Sequence, residues 1–544
     1  MIRQLTDHTK AAFIERNARM HIRTLKRLIP LLMLALLTLA MLLPTVSAGA
    51  MPTRNSPTDF AAIDAYIDGQ MRSLRIPGLA LGVVQGDQIV HLKGFGVAGP
   101  DGRAVTPQTP FQLASLGKPM TGVAVMQLVE AGKIDLDAPV QRYLPAFRIA
   151  DAAASAQITV RQLLYHTSGL PGTVGMEYVL SGDARPDALE ARVGALHAVS
   201  LNRPVGASYE YSNAGYQILG LIVQQVSGQS YEGYMREHLF TPLQMQQTYT
   251  DWTQARSHGV ASGYRYWFGV PVPGEMAIDR AMLPAGAHLA GSAEDVAHFL
   301  IAQLNGGSFG TTSILSPQGI AEMRRPVAQT PAGDEFYAMD WGVRPIGNVP
   351  AVSKGGDNPD FKTLMFLIPE RRLGLVVLMN ANNRWGSYLG DARLALIPVG
   401  VAELLLGQPA TVFPASRTPT LLLGILLLAV TVQAAGMART ALLLRRWHSR
   451  PRLRPQGWIA VAVRIGLPLL CNLGWGLFAL LGVPTLFHTP LSFIRYLAPD
   501  FGTTLLVSAV VALGWGIMRT AVLLWMRHAA EHRTAVAIGT PINA

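Results

Sequence analysis

Residues 111–128, FQLASLGKPMTGVAVMQL, hold the pattern that decides the fold of this chain. After Lys118 the apolar residues recur at helical spacing, so the sequence predicts a helix that begins close to Ser115. Pro119 fits only in the first turn, where the backbone N–H groups have no acceptor within the helix. Ser115 and Lys118 are three residues apart and therefore share one face, at the positive end of the helix dipole.

A lysine amine one turn from a serine hydroxyl can accept its proton and make the oxygen a nucleophile. Residues 51–410 contain 5 lysines and 21 arginines, so a lysine at this position is informative. Arginine keeps its proton in proteins, whereas burial or a nearby positive charge lowers the pKa of lysine. Ser-x-x-Lys also arises by chance at exposed helix starts, and the interpretation therefore needs further motifs.

The second motif is YSNAGY at residues 211–216. Tyr211 and Asn213 flank one residue, and in an extended segment their side chains would point the same way. A phenol can relay protons, and an amide can bind the carbonyl of an acyl group. The alternative is an ordinary turn before a helix over 216–226.

The third motif, SKGGDNPDF at residues 353–361, precedes two apolar strands, Leu364–Ile368 and Leu373–Met379. Glycines on an edge strand would let a substrate backbone approach closely, and Lys354 could hold an anionic group. Asp357 and Asp360 are expected to neutralise Lys354 in part and to repel a carboxylate.

Two other patterns receive structural interpretations. The spaced glycines of residues 94–99 match a dinucleotide-binding pattern, but a Pro-Asp-Gly turn follows where that site requires a helix. They are instead expected to end a hairpin formed by residues 78–84 and 89–92. His166 and Ser168 resemble part of a catalytic triad, but they lie at a helix end that runs into Gly-Leu-Pro-Gly, which favours a turn.

The positive charge lies outside the central domain. Residues 1–50 carry +5 and residues 411–544 carry +10, which leaves −4 of the total +11 for residues 51–410. The basic composition thus gives no reason to expect nucleic-acid binding. Residues 1–50, basic and then apolar, predict a signal peptide or an uncleaved N-terminal anchor. The only cysteine is Cys471, which excludes a disulfide within the chain.

Three uncharged stretches near 420–438, 465–487 and 501–518 predict membrane helices in a region that spans 411–544. The loop between the first two is rich in arginine, whereas the next loop carries only Arg495 and Asp500. By the positive-inside rule the arginine loop and the C-terminus are cytoplasmic, and the 51–410 domain is extracytoplasmic, or periplasmic.

Together the three motifs resemble the serine β-lactamase and penicillin-binding superfamily, and most closely its class C β-lactamase-like branch. The resemblance covers roughly residues 60–407 and includes Ile76-Pro-Gly, HTSGL at 166–170 and IPERRLGLVVL at 368–378. It implies an α/β (α+β) fold in residues 51–410, with an antiparallel sheet flanked by helices and a mostly helical lobe. The branch contains DD-carboxypeptidases, D-aminopeptidases and esterases.

The resemblance also implies a role for each site residue. Ser115 would form an acyl-enzyme, with Lys118 and Tyr211 sharing the proton transfers in an order that the sequence leaves open. Asn213 would contact the substrate amide or carbonyl, and Lys354 its anionic end. The oxyanion would be held by the backbone N–H groups of Ser115 and Asp357. Asp357 belongs to the third motif, which would line the substrate site with Lys354, Gly355 and Gly356. Gly355 stands in place of the frequent threonine.

The resulting expectation is a membrane-tethered extracytoplasmic serine hydrolase that acts on D-amino-acid peptides, esters or related amides. The alternative is a penicillin-recognising receptor that is acylated without efficient turnover. Transport is disfavoured because the three apolar stretches contain no acidic residue. The substrate would be a small molecule or a peptide, cell-wall peptides included. No cofactor and no metal is expected, and the lipid bilayer is the expected environment of the C-terminal helices.

Overall fold

The computed structural model describes residues 59–174, 182–275, 277–330, 333, 335–411, 415–450, 453–455, 457–487 and 489–538. The predicted signal peptide or anchor in residues 1–50 lies outside the described residues. All elements reported below belong to one compact unit that extends from Arg54 to the C-terminus.

An eight-stranded sheet forms the centre of the domain that precedes the C-terminal apolar helices, and every pair of neighbouring strands is antiparallel. The predicted hairpin forms one edge of this sheet. From that edge the strands are Gln88–Gly96, Gly78–Gln85, Leu373–Met379, Lys362–Ile368, Val349–Asp357, Gly342–Ile346, Phe336–Tyr337 and Ala328–Gln329. The antiparallel sheet and its flanking helices confirm the expected fold class.

The central strands are apolar on both faces because each face is covered. In the strand Gly78–Gln85, Leu79 and Leu81 join the core under the helices Phe60–Leu74 and Arg393–Leu405. Ala80 faces the opposite core, which the helix Ala293–Leu304 and the helical lobe complete. This alternation follows the two-residue period of a strand.

The helical lobe is built from short elements around two longer helices. Gly117–Glu130, here called the serine helix, is almost entirely buried and packs beside Asn213–Ser227. The shorter helices of the domain are Ala152–Ser155, Val160–Leu164, Ala188–Gly194, Tyr231–Met235, Trp252–Ser257, Pro317–Met323 and Arg384–Tyr388.

Three C-terminal helices are long and apolar enough to span a membrane: Thr418–Ser449, Trp458–Leu486 and Pro499–His528. Each is longer than the stretch expected from sequence. The first continues for eleven residues past Ala438, so Arg439, Arg445 and Arg446 lie in the helix rather than in a loop. A short helix, Leu491–Leu497, connects the second span to the third.

Candidate active site

The serine helix is entered through a strained turn that presents Ser115. A short strand, Phe111–Gln112, leads into one 3₁₀ turn, Ala114–Leu116, before the helix begins at Gly117. Ala114 has φ 52°, a left-handed conformation that costs a non-glycine residue free energy and is common beside functional groups. The turn leaves Ser115 partly exposed, whereas Lys118 is completely buried.

Ser115 Oγ is the meeting point of two proton-carrying groups. Lys118 Nζ donates a hydrogen bond to it over 2.9 Å, and Tyr211 Oη lies 2.8 Å from it. The structure therefore brings together the three residues that the sequence put forward for proton transfer, at distances suited to it.

The environment of Lys118 favours its neutral form. Its amine also donates to the carbonyl oxygen of Ala285 over 2.9 Å. Burial lowers the pKa of Lys118 well below its usual value, the charge of Lys354 lowers it further, and Asp340 opposes these effects. A buried amine with a lowered pKa can accept a proton from a hydroxyl.

Tyr211 and Asn213 do not lie in one extended segment. The expectation of one extended segment is wrong. Ser212 has an extended backbone, but the helix already begins at Asn213 rather than near Tyr216. Tyr211 is partly exposed beside Ser115, and Asn213 is 8% exposed at the start of the helix. Asn213 therefore follows Tyr211 through the start of a helix and not along a strand.

The strand Val349–Asp357, here called the lysine strand, borders the site without being an edge strand. Its first residues pair with Gly342–Ile346, but that pairing stops at Ser353. From Lys354 to Asp357 the strand pairs only with Lys362–Met365, which leaves its other side unpaired in the sheet. The expected close approach is therefore available along this half of the strand.

The two glycines of the lysine strand differ in exposure and in what surrounds them. Gly355 is exposed. Gly356 is buried, and a Cβ there would collide with Leu113 O and Thr363 Oγ1. Thr363 Oγ1 donates to Leu113 O over 2.8 Å, which joins the sheet to the turn before Ser115. Gly356 thus permits the close packing that places Ser115 beside the strand.

The charge of Lys354 is neutralised by Asp340, so the prediction that Asp357 and Asp360 would do so is wrong. Its amine lies 2.7 Å from Asp340 Oδ2 and donates to Tyr337 Oη over 2.7 Å. Lys354 is 5% exposed and its Nζ lies 4.9 Å from the centre of the Tyr211 ring. Burial lowers the pKa of Lys354, and Asp340 opposes that change. Lys354 is thus a buried, paired cation behind Tyr211.

Asp340 is the acidic centre of this buried group, and the sequence motifs did not include it. Burial acts to raise the pKa of Asp340, but Lys354 and His166 outweigh burial and leave that pKa below its usual value. Tyr337 Oη donates to Asp340 Oδ1 over 2.8 Å. Asp340 itself has φ 60°, a further strained position close to the site.

His166 lies in this buried group, and its ring packs against that of Tyr211. The Ser212 N–H donates to His166 Nδ1 over 3.2 Å, so Nε2 carries the proton and donates to Asp340 Oδ1 over 2.9 Å. Burial lowers the pKa of His166 to about 4, and its ring centre lies 4.4 Å from that of Tyr211. No hydrogen bond connects His166 to Ser168 in the described structure, and both are buried.

Asp357 and Asp360 instead form contacts away from Lys354. Asp357 Oδ1 lies 3.4 Å from Lys362 Nζ and accepts a hydrogen bond from Asn382 Nδ2 over 2.6 Å. Asp360 is buried and pairs with Arg265 at 3.6 Å. Within the described residues no group of three or more His, Cys, Asp or Glu side chains could hold a metal ion.

This geometry is that of a covalent acyl-transfer site. A hydroxyl lies between an enclosed amine and a phenol, at the end of a helix, and the unpaired half of a strand passes beside it. These are the parts that a serine nucleophile needs for activation and for binding the carbonyl of its substrate.

Comparison with known proteins gives one family. A family model described as Beta-lactamase matches residues 63–398. The chain is 29% identical to Protein flp of Staphylococcus aureus strain MW2, over 59% of this chain and 63% of that protein. It is 35% identical to Penicillin-binding protein 4 of Amycolatopsis lactamdurans, over 53% of this chain and 75% of that protein. The chain thus spans less than two thirds of the length of the first of these relatives.

Solved structures share the fold. The octameric penicillin-binding protein homologue from Pyrococcus abyssi superposes with a TM-score of 0.56 at 26% identity, over 65% of this chain and 78% of that chain. A class C β-lactamase from Rhodobacter sphaeroides superposes with a TM-score of 0.51 at 24% identity, over 63% of this chain and 98% of that chain. Both likenesses leave about a third of this chain uncovered.

Proposed function

The chain belongs to the β-lactamase family of serine hydrolases, and from this premise we propose that it is a membrane-tethered hydrolase that acts through an acyl-enzyme on Ser115. The observation that carries the proposal is the position of Ser115 Oγ, within 2.9 Å of both the Lys118 amine and the Tyr211 hydroxyl. The proposed substrates are esters, thioesters and amides of D-amino acids.

Acylation begins when Ser115 Oγ attacks the substrate carbonyl carbon and passes its proton to the neutral Lys118 amine. The tetrahedral oxyanion is held by the backbone N–H groups of Ser115 and Asp357, a type of contact whose loss typically costs about 10²–10³ in rate per donor. Asn213 binds the acyl side of the substrate. Tyr211 donates its phenol proton to the leaving group and recovers one from the protonated Lys118, the carbon–leaving-group bond breaks, and an ester to Ser115 Oγ remains.

Deacylation repeats these steps with water as the nucleophile. Water gives one proton to the Lys118 and Tyr211 pair, attacks the acyl carbon, and forms a second oxyanion at the same N–H groups. Collapse breaks the bond to Ser115 Oγ, which regains its proton, and a carboxylic acid is released. The helix dipole stabilises the negative charge that develops at Ser115 in both steps.

The charge balance behind Tyr211 supports the proposed substrate class. Asp340 pairs with Lys354 at 2.7 Å, so the buried pair has no net charge to offer a substrate carboxylate. The acyl donor preferred by this site is thus one without a carboxylate near the lysine strand. Esters and amidated D-amino-acid derivatives meet this condition, whereas penicillins carry the carboxylate.

The proposed function is tested by covalent labelling of the purified full-length protein in detergent. A fluorescent fluorophosphonate should label the native protein and not the heat-denatured protein, and peptide mass spectrometry should place the adduct on Ser115. A fluorescent penicillin, whose carboxylate the paired Lys354 does not attract, should label Ser115 more slowly than the fluorophosphonate, and its adduct should decay over minutes. Failure of both reagents to label Ser115 would refute the proposal, and a penicillin adduct that persists would favour the receptor alternative.

The Asp340→Asn variant is expected to shift selectivity towards carboxylate-bearing substrates. The substitution removes the charge that neutralises Lys354, and a unit charge about 8 Å away is worth roughly 2 kcal/mol at an effective dielectric constant of 20. We expect the ratio of kcat/KM for an N-acyl-D-alanyl thioester whose leaving group carries a carboxylate, relative to the same thioester with that carboxylate methylated, to rise about thirtyfold, which corresponds to roughly 2 kcal/mol.

The matched control for this variant is Asp295→Asn. Asp295 is also buried, but it accepts hydrogen bonds from Gln247 N and Thr248 Oγ1 and not from a cation of the site. Its substitution should leave the substrate ratio unchanged. An equal ratio in the wild type and in both variants would show that Asp340 does not set the charge preference.

We propose that the arginine-rich ends of the spans are cytoplasmic, with the hydrolase domain on the opposite side. The chain has one cysteine, so single-cysteine variants in a Cys471→Ala background report topology directly. Ser449→Cys and Ser492→Cys both lie at exposed positions. A membrane-impermeant maleimide should label only Ser492→Cys in spheroplasts and both after permeabilisation. Labelling of Ser449→Cys in intact spheroplasts would reverse the topology.

A further inference from the structure

The C-terminal helices pack against the hydrolase domain at Trp385. This indole is 7% exposed, and its ring centre lies 4.9 Å from that of Phe487 and 5.5 Å from that of Phe501. Phe487 and Phe501 flank the link between the second and third spans. The same apolar cluster includes Leu426 of the first span, so all three spans contribute to the contact.

A second contact lies on the same link. The guanidinium of Arg265 lies 4.0 Å from the centre of the Tyr496 ring, a distance at which a cation and an aromatic face attract each other. Asp500 Oδ2 accepts a hydrogen bond from the backbone N–H of Phe268 over 2.9 Å. Tyr496 and Asp500 follow residue 398, where the match to the family ends, so these contacts are additions to the family fold.

Both contacts lead to the segment 357–361, here called the oxyanion loop, which begins at the last residue of the lysine strand. Arg384, next to Trp385, donates from its guanidinium to the carbonyl oxygen of Asp357 over 3.0 Å. Arg265, beneath Tyr496, pairs with Asp360 at 3.6 Å. One arginine therefore contacts each end of the oxyanion loop. Arg384 precedes Trp385, which packs against the spans, and Arg265 lies against Tyr496 of the link itself.

The inner side of the loop is held separately by the hydrolase domain. Asn358 Nδ2 donates to Gln112 Oε1 over 2.7 Å and to the carbonyl oxygen of Ala287 over 2.8 Å. Asn382 Nδ2 also donates to Asp357 Oδ1, and Tyr264 N–H donates to the carbonyl oxygen of Asp360. Arg384 and Arg265 add contacts from the side on which the spans pack. Displacement of a reacting group by about 1 Å can cost on the order of 10²-fold in rate, so the outer contacts matter for an N–H donor at Asp357.

We propose that the link between the second and third spans positions the oxyanion loop, through Trp385 with Arg384 and through Tyr496 with Arg265, so that the membrane region is part of the catalytic unit. This inference rests on the proposed function, because it concerns the donor that Asp357 supplies to the oxyanion. Trp385, Arg384, Tyr496 and Arg265 are positioning residues that do not touch the substrate. The rate of acyl transfer then depends on how the spans are packed.

The test compares Trp385→Ala, Tyr496→Ala and the double variant as full-length proteins in detergent. Endpoint labelling with fluorophosphonate counts the competent sites, and kcat for a thioester is expressed per labelled site. Partial displacement of one oxyanion donor should lower kcat about tenfold in Trp385→Ala, with KM within about twofold of wild type. Trp385→Phe, which keeps an aromatic ring against Phe501, should retain most of kcat.

The matched control is Trp525→Ala, since Trp525 lies on the third span, far along the helix from Phe501, and is 71% exposed. Its kcat per labelled site should equal that of the wild type. If Trp385→Ala matches Trp525→Ala in kcat per labelled site, the inference is overturned. If Trp385→Ala yields no labelled sites, Phe501→Leu is compared in the same way. A wild type that is not labelled at all would instead refute the proposed function.

Discussion

Replacement of Ser115 by alanine is expected to remove fluorophosphonate labelling completely and to lower ester turnover by about 10⁴-fold or more. The methyl group left in place of Oγ cannot form a bond to the acyl carbon. The effect should be this large because Lys118 and Tyr211 both act on the same oxygen, at 2.9 and 2.8 Å. Residual turnover would then come only from the binding of substrate and oxyanion. The measurement is kcat/KM for a thioester with the full-length protein.

Ser168→Ala is the matched control for this prediction. Ser168 is buried in the turn that follows His166, and its Oγ accepts from Leu170 N at 3.4 Å. Its hydroxyl should be dispensable for labelling and for turnover per labelled site. Labelling that survives in Ser115→Ala and disappears in Ser168→Ala would place the nucleophile in the His166 turn and would contradict the proposed mechanism.

The features that the sequence predicted correctly are those set by short-range geometry. Ser115 and Lys118 meet because residues three apart share a helix face, whatever the rest of the fold does. The strands Lys362–Ile368 and Leu373–Met379 could be recognised because they are continuous apolar runs around a short turn. The boundaries of the three long apolar helices were less accurate, because an arginine-rich sequence can continue a helix beyond the apolar stretch.

Asp340 illustrates what the motif search missed. It precedes Lys354 by fourteen positions, and the two side chains meet only because Gly342–Ile346 pairs with the lysine strand in a register that places Gly342 opposite Ser353. A signal for this register was present in the sequence: Gly347 and Asn348 separate the two strands, and a two-residue Gly-Asn connection is typical of a tight hairpin. Extending that hairpin backwards brings Asp340 close to Lys354.

The assignment of Asp357 and Asp360 to Lys354 failed for a different reason. Proximity along the chain suggested a charge interaction, but alternate residues of a strand point to opposite faces. Asp357 instead meets Lys362, the residue opposite it on the neighbouring strand, and Arg384, whereas Asp360 meets Arg265. Arg384 and Arg265 are distant from these aspartates in the sequence, so no local pattern specifies the two contacts.

Replacement of Lys118 by arginine is expected to lower kcat/KM by about 10³-fold, within the range of about 10²–10⁴ that a positioned general base contributes. Arginine keeps the capacity to donate to Ser115 Oγ, but it stays charged and cannot release its proton at any pH that the protein tolerates. In the wild type, burial and Lys354 lower the pKa of Lys118, so that the amine is neutral above this lowered value and protonated below it. Wild-type kcat/KM should therefore fall as the pH drops through the lowered pKa, and this limb should be absent in Lys118→Arg.

Two further variants make the assignment of the base decisive. Lys133→Arg, at an exposed position just after the serine helix, should retain the wild-type rate and pH profile. Tyr211→Phe keeps the ring that covers Lys354 but removes the hydroxyl, and it should lose less activity than Lys118→Arg if the phenol only relays the proton to the leaving group. A larger loss in Tyr211→Phe, with the acid limb still present in Lys118→Arg, would identify Tyr211 as the base, because the titrating group would then lie outside Lys118.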